Sequence, residues 1–267
     1  MLRALFTGIS GLNAHQELLD VTANNIANVN TTGYESNSVV FQDALSQTLT
    51  GAAAAGGSQG GVNPQQVGLG VTVGGTELNT TQGSAQQTGK PLDLMINGDG
   101  YFAVQKNGQT LYTRAGSFHL DSSGDLVTPD GGIVLGSDGN PLALGALQDG
   151  TDTSYTIDQS GDITGVASDG TSTVLGQIGI ATFPNPDGLA KVGDTEFNTT
   201  VSSGDATIQA PNTGEAGYLT SGQLEMSNVN LSTELTNLII AERGYQANSK
   251  VVTTSDEILQ TLVQLKS

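Results

Sequence analysis

A chain of 267 residues with no cysteine, no tryptophan, 4% aromatic side chains and a net charge of −18 excludes several functions at once. Without cysteine there is no disulfide framework, no thiolate metal site and no cysteine nucleophile. The acidity opposes nucleic acid and anionic membrane surfaces, and no apolar run approaches the roughly 18 residues of a spanning helix.

The acid is unevenly placed. Residues 51–222 hold 17 acidic and 4 basic side chains, so it belongs to a middle body that it keeps soluble when crowded. The N-terminus has one base, Arg3, and no continuous apolar stretch, and it reads as lacking a secretory leader. Residues 2–28 predict a helix about 40 Å long. Leu5, Leu12, Leu19 and Ile26 form a complete heptad row. Leu2 and Ile9 begin a second row, which Gln16 and Ala23 weaken. Seven residues are two helical turns, so each row is a narrow coiled-coil seam. Gly8 and Gly11 each cost such a helix about 1 kcal/mol and mark close helix approach. His15 is expected on the polar face. Four asparagines (Asn24, Asn25, Asn28 and Asn30) then fall within seven residues, followed by Gly33 and Tyr34. Asparagine tolerates the left-handed conformation and bonds its own backbone, so the stretch ends the helix.

Residues 35–70 predict a flexible Gly/Ala-rich linker. Val39, Val40, Phe41, Ala44, Leu45 and Leu49 have only partial helical spacing. Gly56, Ser58 and Gly60 match a nucleophile-elbow pattern, but that motif needs a strand before it and a helix after it. From Val71 the period becomes two. Short β-rich runs alternate with Asn97-Gly98, Asn107-Gly108, Ser123-Gly124, Asp130-Gly131, Asp138-Gly139 and Ser160-Gly161. Asn-Gly and Asp-Gly are hairpin signals because both turn positions take positive φ. Residues 71–222 therefore predict an antiparallel β body, a sandwich or an open barrel. Arg114 is its one arginine, expected either in an ion pair with an aspartate or at the solvated surface. Asp121/Asp125 and Asp158/Asp162 lack the further ligands of a calcium loop. His15 and His119 lie in different segments. No catalytic, metal or cofactor site is expected.

Residues 223–267 predict a second long helix. Leu231, Leu238, Tyr245, Val252 and Leu259 repeat every seven residues, and Leu235, Val251, Ile258, Leu262 and Leu265 widen the row. Two matched seams at opposite ends of one chain predict that the helix of residues 1–34 pairs with that of 223–267. The fold class is α+β: a discontinuous coiled-coil domain of N- and C-terminal helices around a central antiparallel β domain. The seam residues Leu2, Leu5, Ile9, Leu12, Leu19, Ile26, Leu231, Leu235, Leu238, Tyr245, Val252, Leu259 and Leu262 are the expected assembly interface.

Residues 23–34 resemble the signature of the flagellar rod and hook proteins, the axial proteins of the bacterial flagellum. Asn24, Asn25, Asn28, Asn30, Gly33 and Tyr34 carry it. Residues 224–231 and 243–248 are similar to that family's C-terminal motif, and residues 89–102 and 112–118 to its mid-chain motif. The resemblance covers residues 1–45, 66–135 and 176–267. It implies a non-enzymatic subunit of a helical homopolymer whose terminal helices line a tube with the β body outside. It also implies neighbours among rod, hook-cap and hook–filament junction proteins, and passage through the flagellar type III export apparatus to the cell exterior. Residues 224–231 and 253–256 look most like the short hook proteins of Gram-positive bacteria. A flexible linker suits a hook that bends, so hook subunit is the expectation and distal rod protein the alternative. A secreted β-rich adhesin or carbohydrate-binding module is a further alternative, but it leaves both heptad rows unexplained.

Overall fold

The computed structural model describes residues 2–54, 60–144, 152–167 and 171–266. The chain forms two compact units. A helical unit comprises Met1–Ala27, Asn37–Glu77 and Asn230–Ser267; a β unit comprises Asn28–Ser36 and Leu78–Val229.

In the helical unit, α1 (Leu2–Ala27) packs along α2 (Leu231–Lys266). At 1.5 Å per residue they are about 39 and 54 Å long. The Asn230 side chain caps α2 by accepting from the backbone N–H of Ser232 and Thr233, which satisfies donors that the first turn cannot. The leucine rows are not the innermost faces of this pair. Gly8, Gly11, Ala14, Thr22 and Asn25 of α1 are buried, as are Ala241 and Ser255 of α2. A Cβ on Gly11 would lie 2.6 Å from Asn248 Oδ1, and one on Gly244 would lie 2.3 Å from the His15 ring. Small residues let the backbones approach, and the larger apolar side chains are displaced to the flanks. His15, expected on a polar face, lies instead against Gly244, with its ring 6.2 Å from Phe41.

Gly244→Ala therefore tests the pairing. Alanine favours an isolated helix by about 1 kcal/mol, but the added methyl must displace a packed imidazole, at a cost of about 1–3 kcal/mol. The expected result is faster hydrogen exchange in both helices. Gly8→Ala, whose Cβ would meet a Val252 methyl at 3.0 Å, should do less.

The segment expected to be a linker holds strands: β1 (Asn37–Asp43), β2 (Ser46–Thr50) and β3 (Gln65–Gly68). β1 pairs with β4 (Val71–Leu78), and β2 pairs antiparallel with β3, with Gln47 opposite Val67. Val39, Val40 and Phe41 have β-branched and aromatic side chains suited to a pleated surface. Their partial helical spacing pointed the other way. The partner valines Val71 and Val73 lie about thirty residues on, across a Gly-rich stretch. Residues 55–59 lie outside the described residues. The expected start of the β body at residue 71 moves to Leu78, because β4 belongs with β1.

The β unit continues with β5 (Ala85–Gln87), β6 (Leu94–Asn97), β7 (Tyr101–Lys106), β8 (Gln109–Thr113), β9 (His119–Leu120), β10 (Leu126–Val127) and β11 (Ile133–Val134). It is completed by β12 (Asp152–Ile157), β13 (Asp162–Ala167), β14 (Ser172–Gln177), β15 (Ile180–Thr182), β16 (Ala190–Gly193), β17 (Glu196–Asn198), β18 (Thr207–Gln209), β19 (Tyr218–Ser221) and β20 (Gln223–Glu225). The largest sheet runs β16-β17-β8-β7-β11-β10-β9, with β15 also on β7. The pairings are antiparallel and close no barrel. β7 is its centre: Tyr101, Phe102, Ala103 and Val104 are all buried. Successive side chains point to opposite faces. Phe102 and Val104 join Leu94, Ile96, Leu126, Ile163, Ile178 and Leu219 in one core. Tyr101 and Ala103 join Tyr112, Leu135, Ala181 and Phe197 in the other.

Asn107 and Gly108 both have positive φ and join β7 to β8 in a tight hairpin, with Lys106 opposite Gln109. Asn97-Gly98, an equally strong signal, closes no hairpin. The partner of β6 is β19, more than a hundred residues away, with Asn97 opposite Tyr218. Asp121 accepts from the N–H of Ser123 and Asp125, and Asp158 from those of Ser160 and Asp162. These carboxylates close turns.

Candidate functional site

Two surfaces carry the residues that the sequence singles out. On the helical unit, Leu5, Leu12, Leu19, Ile26, Leu238, Val252 and Leu259 are half-buried, and Ile9, Leu231, Leu235, Tyr245 and Leu262 are exposed. The Leu2 side chain lies outside the description. Phe6, Ile239, Ile240, Val251, Ile258, Val263 and Leu265 are exposed as well. So many large apolar side chains exposed on one helix pair form an apolar surface on an otherwise acidic chain. Several of them, including Phe6 and Ile239, lie off the heptad rows, so the rows cover only part of the exposed apolar set.

The second site is in the β unit, where residues 28–36 form a strap. Asn28 opens it: its backbone and side-chain oxygens accept from Thr31 N–H and Thr31 hydroxyl. Gly33 has φ 66°, and a Cβ there would lie 2.3 Å from Ala115 N, so only glycine fits. Its N–H donates to Glu225 O. Ser36 N–H donates to Asn228 Oδ1, and Asn228 Nδ2 donates to Asn79 O and Thr81 O. Tyr34 lies under Lys191, with Nζ 4.6 Å from the ring centroid. Asn24 and Asn30 are exposed, while Asn25, in the helical unit, clasps Asn37 by accepting from its N–H and donating to its C=O.

Between the anchors of the strap sits a buried charge cluster. Glu35 and Glu225 flank Arg114, all three about 5% exposed or less. Arg114 Nε is 3.8 Å from Glu35 Oε1, and Nη1 is 3.7 Å from Glu225 Oε2. Arg114 also donates to Gly98 O and lies 5.0 Å over the Tyr101 ring. The Tyr101 hydroxyl donates to Glu35 at 3.0 Å, and Lys191 Nζ donates to Glu35 O at 2.6 Å. Burial pushes the Glu35 carboxyl up to about 7, against the opposing pull of Arg114 and the Tyr101 hydrogen bond, with Glu225 adding to the rise. Burial likewise raises Glu225, partly offset by Arg114 and the Gly83 N–H. Burial lowers Lys191, against the pull of Glu35. The expected aspartate partner of Arg114 is thus replaced by two glutamates from distant ends of the chain. Gly33 and Tyr34, Arg114, and Glu225 and Asn228 come from the three motifs, and the fold brings them into one place. Neither Glu35 nor Lys191 carries a local sequence signal; each is a single charge in an otherwise ordinary stretch.

A cleft of about 380 Å³ is lined by Thr31, Thr32, Thr113, Thr128, Asp130 and Glu196, among others. At its edge Lys106 Nζ lies 2.6 Å from Asp130 and 3.4 Å from both Asp194 and Glu196. The three carboxylates could hold a cation, and the lysine ammonium supplies one. His119 lies on β9 and does not line this cleft.

Three family models match the chain: Flagella basal body rod protein over residues 5–34, Flagellar hook protein FlgE/F/G D1 domain over residues 95–171, and Flagellar basal body rod FlgEFG protein C-terminal over residues 220–265. The chain is 48% identical to Flagellar basal-body rod protein FlgG of Bacillus subtilis (strain 168) over the whole of both chains. It is 41% identical to Flagellar basal-body rod protein FlgG of Caulobacter vibrioides, again over both full lengths. It is 28% identical to Flagellar hook protein FlgE of Borreliella burgdorferi, over 442 residues and all of both chains. No helix among the described residues is long and apolar enough to cross a membrane. Its similarity to such relatives along its full length, and the meeting of its three motifs in one buried site, establish that the chain belongs to the rod and hook family of structural proteins of the bacterial flagellum.

Proposed function

We propose that the chain is the subunit of the distal rod, polymerising through its terminal helices into a stiff tube. The carrying observation is the full-length identity of 48% to a rod protein, against 28% to a hook protein. The expectation of a hook subunit therefore gives way to its alternative. That expectation leaned on a flexible linker at residues 35–70, where β1, β2 and β3 now lie. Paired strands resist bending more than a Gly/Ala coil does.

The β2–β3 arm supports the same reading. Residues 44–76 contain no charged side chain, and Leu45, Leu49, Val62 and Val67 are exposed. A two-stranded sheet is marginal alone, and its open edges accept neighbouring chains. An uncharged arm is where subunits this acidic can touch without repulsion. The role is structural and not enzymatic, with further copies of the chain and other axial proteins as partners, after export through the flagellar type III apparatus. Immunogold labelling of isolated hook–basal bodies tests the assignment. Label confined to the straight rod is expected; label along the curved hook would overturn it.

A further inference from the structure

We propose that the strap of residues 28–36 is a proton-sensitive latch, closed when the buried Glu35 carboxyl holds a proton and weakened when it loses it. One guanidinium serves two buried carboxylates, and it reaches neither at hydrogen-bond distance: the approaches are 3.8 and 3.7 Å. Arg114 Nε and Glu225 Oε2 are left without hydrogen-bond partners. The second cation, Lys191, donates to the backbone carbonyl of Glu35 and not to its carboxylate. The charged form of Glu35 is thus held by a phenol hydrogen bond and by cations at a distance, in a setting where its side chain is buried.

The groups facing Glu35 from each neighbouring element are Tyr101 of β7, Arg114 after β8, Lys191 of β16 and Glu225 of β20. Burial and Glu225 favour the neutral acid; Arg114, Tyr101 and Lys191 favour the anion. The neutral acid gains toward physiological pH, since burial pushes the folded carboxyl up to about 7 from its ordinary 4.5. A carboxyl raised on folding contributes stability that is fully present below its free value. That stability is lost as pH rises through the folded value. Mildly alkaline conditions therefore loosen the strap, and acid tightens it. Both ends of the strap are peptide links to the helical unit, at Ala27–Asn28 and Ser36–Asn37.

The test is hydrogen exchange on the dilute full-length chain at pH 5.5 and 8.5, corrected for intrinsic rates. Protection of the Gly33 and Ser36 amides should fall by roughly tenfold or more at the higher pH. Glu35→Gln keeps the shape and removes the proton, so its strap should be insensitive to pH. In case that variant folds poorly, the carboxyl carbon of Glu35 in the unaltered chain can be followed by NMR. Titration near 7 supports the latch. Titration below pH 5, protection that is constant with pH, or a loss of protection that persists in Glu35→Gln would each overturn it.

Discussion

Leu262→Asp should abolish polymerisation while leaving the β unit folded. Leu262 is 51% exposed in the single chain, and Leu235 is 50% exposed. A carboxylate at either position costs an isolated molecule little. In an assembled wall the same charge would be desolvated against apolar neighbours, at a cost of several kcal/mol, on the order of that for an unpaired buried ion. Each 1.4 kcal/mol is a factor of ten, so the critical concentration should rise by roughly a hundredfold or more. Leu235→Asp should behave alike. Thr236→Asp is the control: it adds the same charge at an exposed position whose hydroxyl only bonds Ser232 O within the helix. Leu238 and Leu259 are half-buried, so aspartate there would disturb the helix pair and the assembly together. Sedimentation and electron microscopy give the assembly readout, and thermal unfolding gives the fold. If Leu262→Asp polymerises normally, this face is not the assembly surface.

Arg114→Met should destabilise the β unit by about 3–5 kcal/mol at pH 8, the usual penalty for leaving a buried charge without its partner. Two carboxylates lose their shared cation, Gly98 O loses a donor, and Tyr101 loses the guanidinium stacked on its ring. The loss should shrink toward pH 5, because burial pushes the Glu35 carboxyl up to about 7 and it then carries a proton; burial moves Glu225 in the same direction. Arg114→Lys should recover little, since an ammonium cannot reach both carboxylates and the carbonyl from one straight stem. Urea unfolding followed by tyrosine emission measures the effect, as the chain has no tryptophan. A loss below about 1 kcal/mol, the level of an exposed ion pair, would mean that the cluster is not an important anchor.

These two sites differ in how much of each is legible in the sequence. Heptad rows at Leu5–Leu12–Leu19–Ile26 and Leu231–Leu238–Tyr245–Val252–Leu259 follow from helical geometry, which is local. So does the Asn107-Gly108 hairpin, whose backbone requirement lies in two adjacent residues. Motif resemblance placed the chain among the axial proteins for a similar reason, since each motif is a short contiguous string.

What required tertiary structure was the pairing of strands across distance and the inner face of the helix pair. Asn97-Gly98 carries the same turn signal as Asn107-Gly108, yet β6 pairs with β19, a choice made by the packing of a whole sheet. Val39–Phe41 became strand because β4 supplied edges for β1. The rows located the helices but not their inner faces. Gly8, Gly11 and Gly244 lie where the backbones approach most closely, so small residues took the inside and several large apolar ones were left outside. The charge cluster shows the limit most sharply. Glu35, Arg114 and Glu225 are separated by about 79 and 111 residues, and their chemistry comes from shared burial. Composition and hydrophobic period determined that this is an acidic β body between two long helices. Only the fold decided which few of its charges are buried together, because desolvation depends on everything packed around a group and not on its neighbours in sequence.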